Sequence, residues 1–350
     1  MGMSEKEFGR YVTKLIGGDN LTRTEVTECF NEILLDRQSE MQQGAFLAAL
    51  TAKGETAEEM AGVWSAIYEL DTVKVKIDID EPLVENCGTG MDRMNTFNIS
   101  TAASIVAAAD GIRMAKHGAR AITSACGTVD ILEELGVNVE CTPDLVKKSI
   151  ETAGIGIFNG MSPLIHPQAL GRILSKISFG SVLNIAASLA NPAAPTIAVR
   201  GVYCPDLLEP VAYTMRKIGM SRGLVVYGEG PDGKGIDEAS TMGESLICEI
   251  KEDGSMTRYK ITPEEFGINR CGVEDLAVMS EKHLEAKRFK ALLEGNETQA
   301  RIDIVCLNAG LTMYVAGKQP SIKDGYNRAR ILLLSGMAAK KLDDWVKAQQ

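Results

Sequence analysis

The stretch VENCGTGMDRMNTFNIST at 84–101 combines residue types that hold phosphate groups. Gly-Thr-Gly at 88–90 follows a short run typical of a strand, and glycines allow a tight turn whose backbone N–H groups point outward. Asn-Ile-Ser-Thr at 98–101 brings amide and hydroxyl side chains to the start of an expected helix, where unpaired N–H groups favour an anion. The pattern predicts a phosphate site; a capped turn between a strand and a helix is the alternative.

A second polar cluster follows at 116–130, with KHGAR at 116–120 and TSACGTVD at 123–130. The segment between the clusters, 102–111, is apolar and rich in alanine, which predicts a buried helix whose start and following loop return to one edge of a sheet. Lys116 and Arg120 then provide two cations near the phosphate turn. For each of them, a solvated surface charge is the alternative.

A third cluster, GEGPDGKGIDE at 228–238, follows an apolar run and ends on the adjacent carboxylates Asp237 and Glu238. Carboxylates in a glycine-rich loop after a strand suit Mg²⁺, which binds a few carboxylates together with phosphate oxygens and water. A solvated acidic loop is the alternative, and the residues of this loop alone leave both open.

Taken in order and spacing, these clusters resemble those of the anthranilate phosphoribosyltransferases, which are phosphoribosyltransferases of the nucleoside-phosphorylase-like class. The resemblance covers nearly the whole chain, and agreement in order along the chain makes it specific although no single motif is. The matching segments are QQGAFLAALTAKGETAEEMAG at 42–62, GTG-x-D at 88–92, FNIST at 97–101, KHG at 116–118, CGTVDILEELGV at 126–137, NPA at 191–193, the Asp-Glu pair at 237–238 and NAGLTMYVAG at 308–317.

The resemblance implies Mg²⁺-dependent transfer of a 5-phosphoribosyl group from phosphoribosyl pyrophosphate (PRPP) to an aromatic amine, with release of pyrophosphate. The implied acceptor is anthranilate, as in tryptophan biosynthesis. Because such a reaction passes through a cation-like sugar, the protein must stabilise the departing pyrophosphate and position the nucleophile, and little acid–base work is needed. The resemblance therefore names no acid–base catalytic residue.

The resemblance also assigns roles to individual positions. The residues implied to bind PRPP are Gly88, Thr89, Gly90, Asp92, Asn98, Ser100, Thr101, Lys116 and Thr128. The implied metal ligands are Ser100, Asp237 and Glu238, and the implied acceptor-binding residues are His117, Gly118, Ala119 and Arg172. For His117, a histidine whose ring is satisfied by backbone partners in a loop is the alternative to an acceptor contact.

Departures from the family pattern concentrate at the acceptor end. Ala119 stands where the family has an asparagine, so one side-chain hydrogen bond is missing. The segment 166–191 is shorter than expected and its acceptor-binding arginine has two candidates, Arg172 and Lys176, of which only the guanidinium binds a carboxylate in bidentate fashion. AASLANP replaces GPLTNP at 186–192, and Met91 replaces a glycine in the GTGGD turn, adding bulk near the pyrophosphate.

Three functions are consistent with this pattern. The first is a genuine anthranilate phosphoribosyltransferase with a divergent acceptor pocket. The second is a PRPP-dependent transferase for another aromatic or heterocyclic nitrogen, and a nucleoside phosphorylase is a further enzyme alternative that suits the Asp-Glu pair less well. The third is a non-catalytic relative that binds nucleic acid or another phosphate-bearing ligand, which retention of Asp237 and Glu238 and the acidic net charge disfavour.

Composition narrows the class of protein. The chain has 350 residues, of which 45% are hydrophobic and 24% charged, as in an ordinary globular protein. The net charge of −10 disfavours a general nucleic-acid surface. Eight cysteines without a C-x-x-C pair argue against zinc and against a disulfide framework. Because the sequence lacks a signal peptide and a long apolar run, we expect a cytoplasmic protein.

The first 75 residues predict helices. Apolar residues recur at helical spacing up to Gly17-Gly18, and three capping-box patterns follow, formed by Thr22 with Glu25, Ser39 with Gln42 and Thr56 with Glu59. The apolar stripe of the last of these helices, which includes Met60, Val63, Trp64, Ile67 and Tyr68, predicts either core packing or a subunit interface. The resemblance implies a homodimer formed through these helices.

From residue 80 onward, strands alternate with helices, and the strand candidates are 84–87, 112–115, 155–158, 196–202, 224–226 and 246–250. This rhythm predicts an α/β fold with a mostly parallel central sheet wrapped by helices and ligands at the carboxyl ends of the strands. The segment 164–190 has helical spacing, and the resemblance implies that it packs on the N-terminal helices. We therefore expect a small discontinuous helical domain (1–75 with 164–190) and a larger α/β domain (76–163 and 191–350).

Overall fold

Four helices form the N-terminal part of the chain: α1 Glu5–Ile16, α2 Arg23–Leu34, α3 Glu40–Lys53 and α4 Ala57–Leu70. They belong to a computed structural model that describes residues 2–92, 94–120 and 126–350. The predicted capping boxes of Thr22 and Thr56 are confirmed. The third prediction was wrong, because Ser39 precedes α3 without a side-chain cap bond, whereas Ser4 forms a capping box with Glu7 that was not predicted.

The apolar stripe of α4 is core within one chain. Met60, Val63 and Ile67 are fully buried, and α4 packs closely on α2. Trp64, which is partly buried, stacks on Tyr68 and donates its indole N–H to the carbonyl oxygen of Leu189 at 3.0 Å. The stripe therefore joins the N-terminal helices to a segment far along the sequence.

A single sheet forms the centre of the chain and contains the strands β1 Leu83–Cys87, β2 Arg113–Gly118, β3 Ile155–Asn159, β4 Ile197–Gly201, β5 Arg222–Glu229, β6 Gly235–Ile236, β7 Ser245–Ile250 and β8 Met256–Ile261. The order is β3-β2-β1-β4-β5-β7-β8, with β6 paired to β5. β1 to β5 are parallel to one another, β6 and β7 each pair antiparallel with β5, and β8 pairs antiparallel with β7. The predicted mostly parallel sheet is confirmed; β6 and β8 were not predicted, and β2 runs on through Lys116 and His117.

Helices cover both faces of the sheet: α5 Ile99–Ala109, α6 Thr128–Glu134, α7 Pro143–Ala153, α8 Leu170–Leu174, α9 Leu183–Leu189, α10 Leu208–Lys217, α11 Val273–Leu276, α12 Lys282–Leu293, α13 Gln299–Val315, α14 Ile322–Leu334 and α15 Met337–Ala348. Short 3₁₀ turns lie at Pro205–Leu207, Pro231–Gly233 and Pro263–Phe266. Within the ranges that the structure describes, no helix has the length and apolar character needed to cross a membrane.

The two faces of the sheet bury different partners. On one face, Ile197, Val199 and Leu224 share an apolar core with α5 and α13. On the other face, Ala198 and Val225 share a core with the N-terminal helices, with α10 and with apolar residues of the segment 169–190. The segment 164–190 thus returns to the N-terminal helices, and α9 packs directly on α4. Side chains on this second face point toward the N-terminal helices and away from α5.

Candidate active site

The glycine turn after β1 meets the acidic pair near β6. Oδ2 of Asp237 accepts hydrogen bonds from the backbone N–H of Gly90 at 2.6 Å and from the hydroxyl of Thr89 at 2.9 Å. Two further glycines make room for Asp237: a β-carbon on Gly88 would stand 2.6 Å from its Cγ, and one on Gly201 would stand 1.5 Å from its backbone oxygen. Two motifs that are distant in sequence therefore form one site at the carboxyl ends of β1 and β4.

Three carboxylates converge next to this turn. One oxygen from each of Asp92, Asp237 and Glu238 lies within 4.8 Å of the others. Asp92 Oδ2 and Glu238 Oε2 are buried and have no hydrogen-bond partner among the described residues. Burial, reinforced by the charge of Asp237, raises the pKa of Asp92 to about 8 and raises that of Glu238 well above its usual range.

These carboxylates fit a divalent cation. Like charges this close oppose one another's ionisation, and a cation removes that conflict while it satisfies the orphaned oxygens. Oxygen-only donors are the set that Mg²⁺ prefers. Asp92, which the resemblance assigned to PRPP, lies with Asp237 and Glu238 in this cluster.

The starts of α5 and α6 lie side by side. Asn98 precedes α5 without a side-chain cap bond, and its amide donates to the carbonyl oxygen of Cys126 at 3.1 Å. The hydroxyls of Thr101 and Thr128 are 3.4 Å apart. Ser100 occupies the first turn of α5, partly buried, and its backbone carbonyl accepts from Ser104. The residues 123–125 of the predicted second cluster lie outside the described ranges.

The two cations predicted near the turn differ in position. Lys116 is only 1% exposed, so the surface alternative was wrong for it. Its Nζ donates to the carbonyl oxygen of Asn86 at 2.7 Å, just below the glycine turn, and burial lowers its pKa. Arg120, in contrast, is partly exposed and binds Glu133 at 2.7 Å and Glu140 at 3.0 Å. The prediction that Arg120 serves the phosphate turn was therefore wrong, since neighbouring carboxylates engage its guanidinium.

His117 lies on β2, not in a loop, and is 3% exposed. Its Nε2 is 3.0 Å from Nε2 of His166, and its Nδ1 is 3.3 Å from the carbonyl oxygen of Ser188. Burial, reinforced by His166, lowers the pKa of His117 to about 3, so its ring is neutral. A β-carbon on Gly160 would stand 2.9 Å from Nε2, which shows how closely the backbone approaches this ring.

His166 was not predicted as a site residue. Its Nδ1 lies 2.6 Å from the carbonyl oxygen of Asp71, at the end of α4, so that the histidine pair links the helices to the sheet. The available signal was composition: the chain has only three histidines. Two of them form this buried pair.

Arg172 does not reach the acceptor end. Its guanidinium donates to the side chain of Gln43 at 3.1 Å and to the carbonyl oxygen of Ile33 at 2.8 Å, both in the N-terminal helices. The other candidate, Lys176, pairs with Glu40 on α3. The assignment of Arg172 to the acceptor was therefore wrong, because polar groups of the helical bundle hold its side chain.

Gly118 and Ala119 follow His117 at the end of β2. A β-carbon on Gly118 would stand 3.0 Å from Cγ2 of Thr128, so this glycine allows α6 to approach the strand. The carbonyl oxygen of Ala119 accepts from the N–H of Val129 at 3.2 Å. Both residues therefore dock the start of α6 against the sheet.

Met91 bridges the glycine turn to the segment before α9. Its side chain lies on Gly180, where an added β-carbon would stand 2.3 Å from the methionine methyl group. Asn184, on α9, adds a second link, because its amide donates to the carbonyl oxygen of Thr89 at 3.2 Å. Asn184 was not predicted as a site residue. The side chain of Met91, which was predicted to add bulk to the turn, packs against Gly180.

Comparison with known proteins agrees with this geometry. The family described as "Glycosyl transferase family, a/b domain" matches residues 80–339, and "Glycosyl transferase family, helical bundle domain" matches residues 10–70. Anthranilate phosphoribosyltransferase of Haloarcula marismortui is 37% identical over 340 residues, which cover 97% of this chain and 99% of that protein. The enzyme of Methanococcoides burtonii is 38% identical over 340 residues, covering 96% and 93%.

Solved structures give the same result. The crystal structure of anthranilate phosphoribosyltransferase (TrpD) from Thermus thermophilus has a TM-score of 0.86 and 34% identity, covering 97% of this chain and 99% of that one. The Saccharomyces cerevisiae enzyme in complex with PRPP and Mg shares the fold, with a TM-score of 0.86 at 22% identity and coverage of 99% and 98%. With matches to both domains and relatives above one-third identity over nearly their whole length, this chain belongs to the anthranilate phosphoribosyltransferase family.

Proposed function

We propose that this protein transfers the 5-phosphoribosyl group of PRPP to the amino nitrogen of anthranilate and releases pyrophosphate, with Mg²⁺ as cofactor. The observation that carries the proposal is the meeting of Asp237 with the glycine turn at 88–90, beside Asp92 and Glu238. A phosphate-binding turn beside oxygen ligands for a divalent cation suits a pyrophosphate leaving group.

Asp92, Asp237 and Glu238 would hold the metal, and Ser100 joins them on the strength of the family resemblance. The support is the pair of buried, unpartnered carboxylate oxygens, which a cation satisfies. When bound, Mg²⁺ supplies positive charge that neutralises the pyrophosphate. The protein's own residues bind and orient the substrate around it.

The PRPP-binding residues in this proposal are Gly88, Thr89, Gly90, Asn98, Ser100, Thr101, Lys116 and Thr128. Backbone N–H groups of the turn, apart from that of Gly90, which donates to Asp237, and the uncapped start of α5 donate to phosphate oxygens, and the helix dipole adds a favourable field. The ammonium group of Lys116 lies just below the turn and adds a buried positive charge. As the bond between the sugar and the pyrophosphate breaks, these donors stabilise the developing negative charge.

The acceptor end receives its residues from β2, with His117 as a neutral wall and Gly118 and Ala119 beside it. A second candidate function, transfer to a different aromatic or heterocyclic nitrogen, is supported by one observation. Neither Arg172 nor Lys176 offers a cation to an acceptor carboxylate, since both bind the N-terminal helices. Ala119 also lacks the side-chain amide expected there.

A pyrophosphate-release assay tests the proposal. The purified protein is given PRPP and Mg²⁺ with anthranilate, and separately with other aromatic amines and nucleobases. We expect release with anthranilate; release only with another ring would select the second candidate. No release with any acceptor, together with measurable nucleic-acid binding, would support the non-catalytic alternative.

We infer that the helical domain is discontinuous, with 1–75 joined by 164–190, and that 76–163 and 191–350 form the α/β domain.

We further propose a homodimer through the N-terminal helices, where Ile16 and Met41 expose 74% and 85% of their surface. Sedimentation velocity of the wild type and of a variant with Met41→Lys tests this, and a wild-type monomer would contradict it.

All eight cysteines are free, which suits the cytoplasmic location that we propose.

A further inference from the structure

Arg200 is a fully buried cation at the acceptor side of the sheet. It occupies the penultimate position of β4, paired in register with Cys87, and is followed by Gly201, which makes room for Asp237. Its exposure is 0%. A buried cation is costly unless it is paired and hydrogen-bonded, because burial removes the hydration of the charge.

The guanidinium of Arg200 holds both oxygens of a single residue on α9. Nη1 donates to the hydroxyl of Ser188 at 3.0 Å, and Nη2 donates to its backbone carbonyl at 3.2 Å. Glu85 Oε2 lies 3.5 Å away and balances the charge, although it forms no hydrogen bond among the described residues. Nε of Arg200 also has no acceptor there. Arg200 therefore forms hydrogen bonds to Ser188, whereas its contact with the counter-ion Glu85 is a longer ion pair.

Ser188 connects Arg200 to the histidine pair. Three contacts in the pair each require one N–H group: His166 Nδ1 with Asp71 O, His166 Nε2 with His117 Nε2, and His117 Nδ1 with Ser188 O. Two neutral imidazoles carry only two N–H groups. Because Arg200 already donates to the Ser188 carbonyl, that contact needs no proton from His117, and the two available protons satisfy the other two contacts.

We propose that Arg200 is a positioning residue that fixes the tautomer of His117. Because its donation already satisfies the carbonyl oxygen of Ser188, the proton of His117 stays on Nε2, donated to His166, and Nδ1 remains a hydrogen-bond acceptor. Nδ1 and the Ser188 carbonyl then present two acceptors 3.3 Å apart, an arrangement that suits the N–H donors of an amine. This last consequence rests on the proposed function; the tautomer itself does not.

Nitrogen-15 NMR of histidine-labelled protein tests the tautomer without turnover. The chain has three histidines, of which His283 is exposed and provides a reference. In the wild type near neutral pH, we expect a protonated Nε2 and an unprotonated Nδ1 on His117. A proton on Nδ1 of His117 would overturn the proposal, whatever any variant does.

Arg200→Met then shows whether Arg200 is responsible. We expect the proton of His117 to move to Nδ1, because the Ser188 carbonyl has lost its donor. Arg301→Met is the matched control: Arg301 is also 0% exposed, pairs with a buried glutamate, Glu285, and has an unpartnered Nε. If Arg200 had only a structural role, Arg200→Met and Arg301→Met would give the same His117 spectrum. That result would overturn the proposal that Arg200 fixes the tautomer.

Steady-state kinetics examine the consequence for the acceptor. We expect Arg200→Met to raise the acceptor KM about tenfold, as for the loss of a hydrogen-bonding arrangement, while the PRPP KM stays unchanged. An unchanged acceptor KM in an active variant would overturn the role in positioning. A wild type inactive with every acceptor would instead overturn the proposed function and leave the NMR result to decide the tautomer.

Discussion

The backbone oxygen of Asp237 lies 1.5 Å from the point where a β-carbon on Gly201 would stand. The contact is with backbone and not with the end of a flexible side chain, so a substitution at Gly201 must displace either the strand or Asp237, whose carboxylate is a proposed metal ligand. Gly201 thus sets how closely the segment with Asp237 approaches the end of β4.

Gly201→Ala tests this relationship. We expect the free energy of unfolding to fall by about 3 kcal/mol, the upper end of the usual cost of overpacking, because backbone atoms cannot rotate away. Urea denaturation measures the loss. Gly44→Ala, on α3, is the control: an added β-carbon there has nothing within 4 Å, and alanine favours a helix. Equal stability of the two variants would contradict the close approach.

The double variant Asp237→Asn/Glu238→Gln is expected to abolish pyrophosphate release while the fold persists. Both substitutions keep side-chain size and remove charge, so the loss concerns the cation and not packing. Circular dichroism and the release assay measure the two effects, and we also expect Mg²⁺ to raise the melting temperature of the wild type but not that of this double variant.

An exposed acidic pair provides the control for that variant. Glu252 and Asp253 are also adjacent in sequence, at the turn between β7 and β8, and both are exposed. Glu252→Gln/Asp253→Asn should retain full activity and the full Mg²⁺ effect. A near-normal rate in Asp237→Asn/Glu238→Gln would disprove the metal assignment.

The contact between Met91 and Gly180 predicts coupled substitutions. Gly180→Ala meets the methyl end of Met91 and pushes it aside, at an expected cost of about 1 kcal/mol in the free energy of unfolding. In Met91→Ala the space is vacant, so the added methyl group should cost nothing. A double-mutant cycle by urea denaturation measures the coupling, and additive effects would show that the two side chains do not interact.

Local patterns in the sequence predicted the elements with regular apolar spacing. The capping boxes at Thr22 and Thr56 are local signals and were confirmed. Strand β8, MTRYKI, was not predicted because it ends the sheet and exposes several of its side chains, which breaks the apolar pattern. The end of β2 was mistaken for a loop for a related reason: Lys116 and His117 are polar yet buried.

The candidate site shows what local patterns cannot supply. The turn at 88–90 and Asp237 were each predicted, but the hydrogen bond between Gly90 and Asp237 depends on the order of strands in the sheet. Arg172 occupied a plausible position in the sequence, yet the carbonyl oxygen of Ile33 determines where its side chain points. Arg200 was missed because a single charge within an apolar strand has no sequence partner to mark it.

The buried histidine pair predicts how stability depends on pH. Burial lowers the pKa of His117 to about 3 and lowers that of His166, whereas an unfolded histidine titrates near its ordinary value of about 6.5. Between these values the unfolded chain binds more protons than the folded chain. The free energy of unfolding therefore falls as the pH drops below about 6.5, and by about pH 5 His117 alone should account for a loss of about 2 kcal/mol, to which His166 adds in the same direction.

Replacing one histidine isolates this contribution. His166→Asn removes one of the two proton-binding groups, so its free energy of unfolding should fall less steeply than that of the wild type between about pH 7.5 and about pH 5. The carboxylate cluster is common to both proteins and cancels in the difference. His283→Asn, which removes the exposed histidine, should retain the wild-type dependence. Parallel curves for the wild type and His166→Asn in urea denaturation would mean that this histidine is not held neutral in the folded protein.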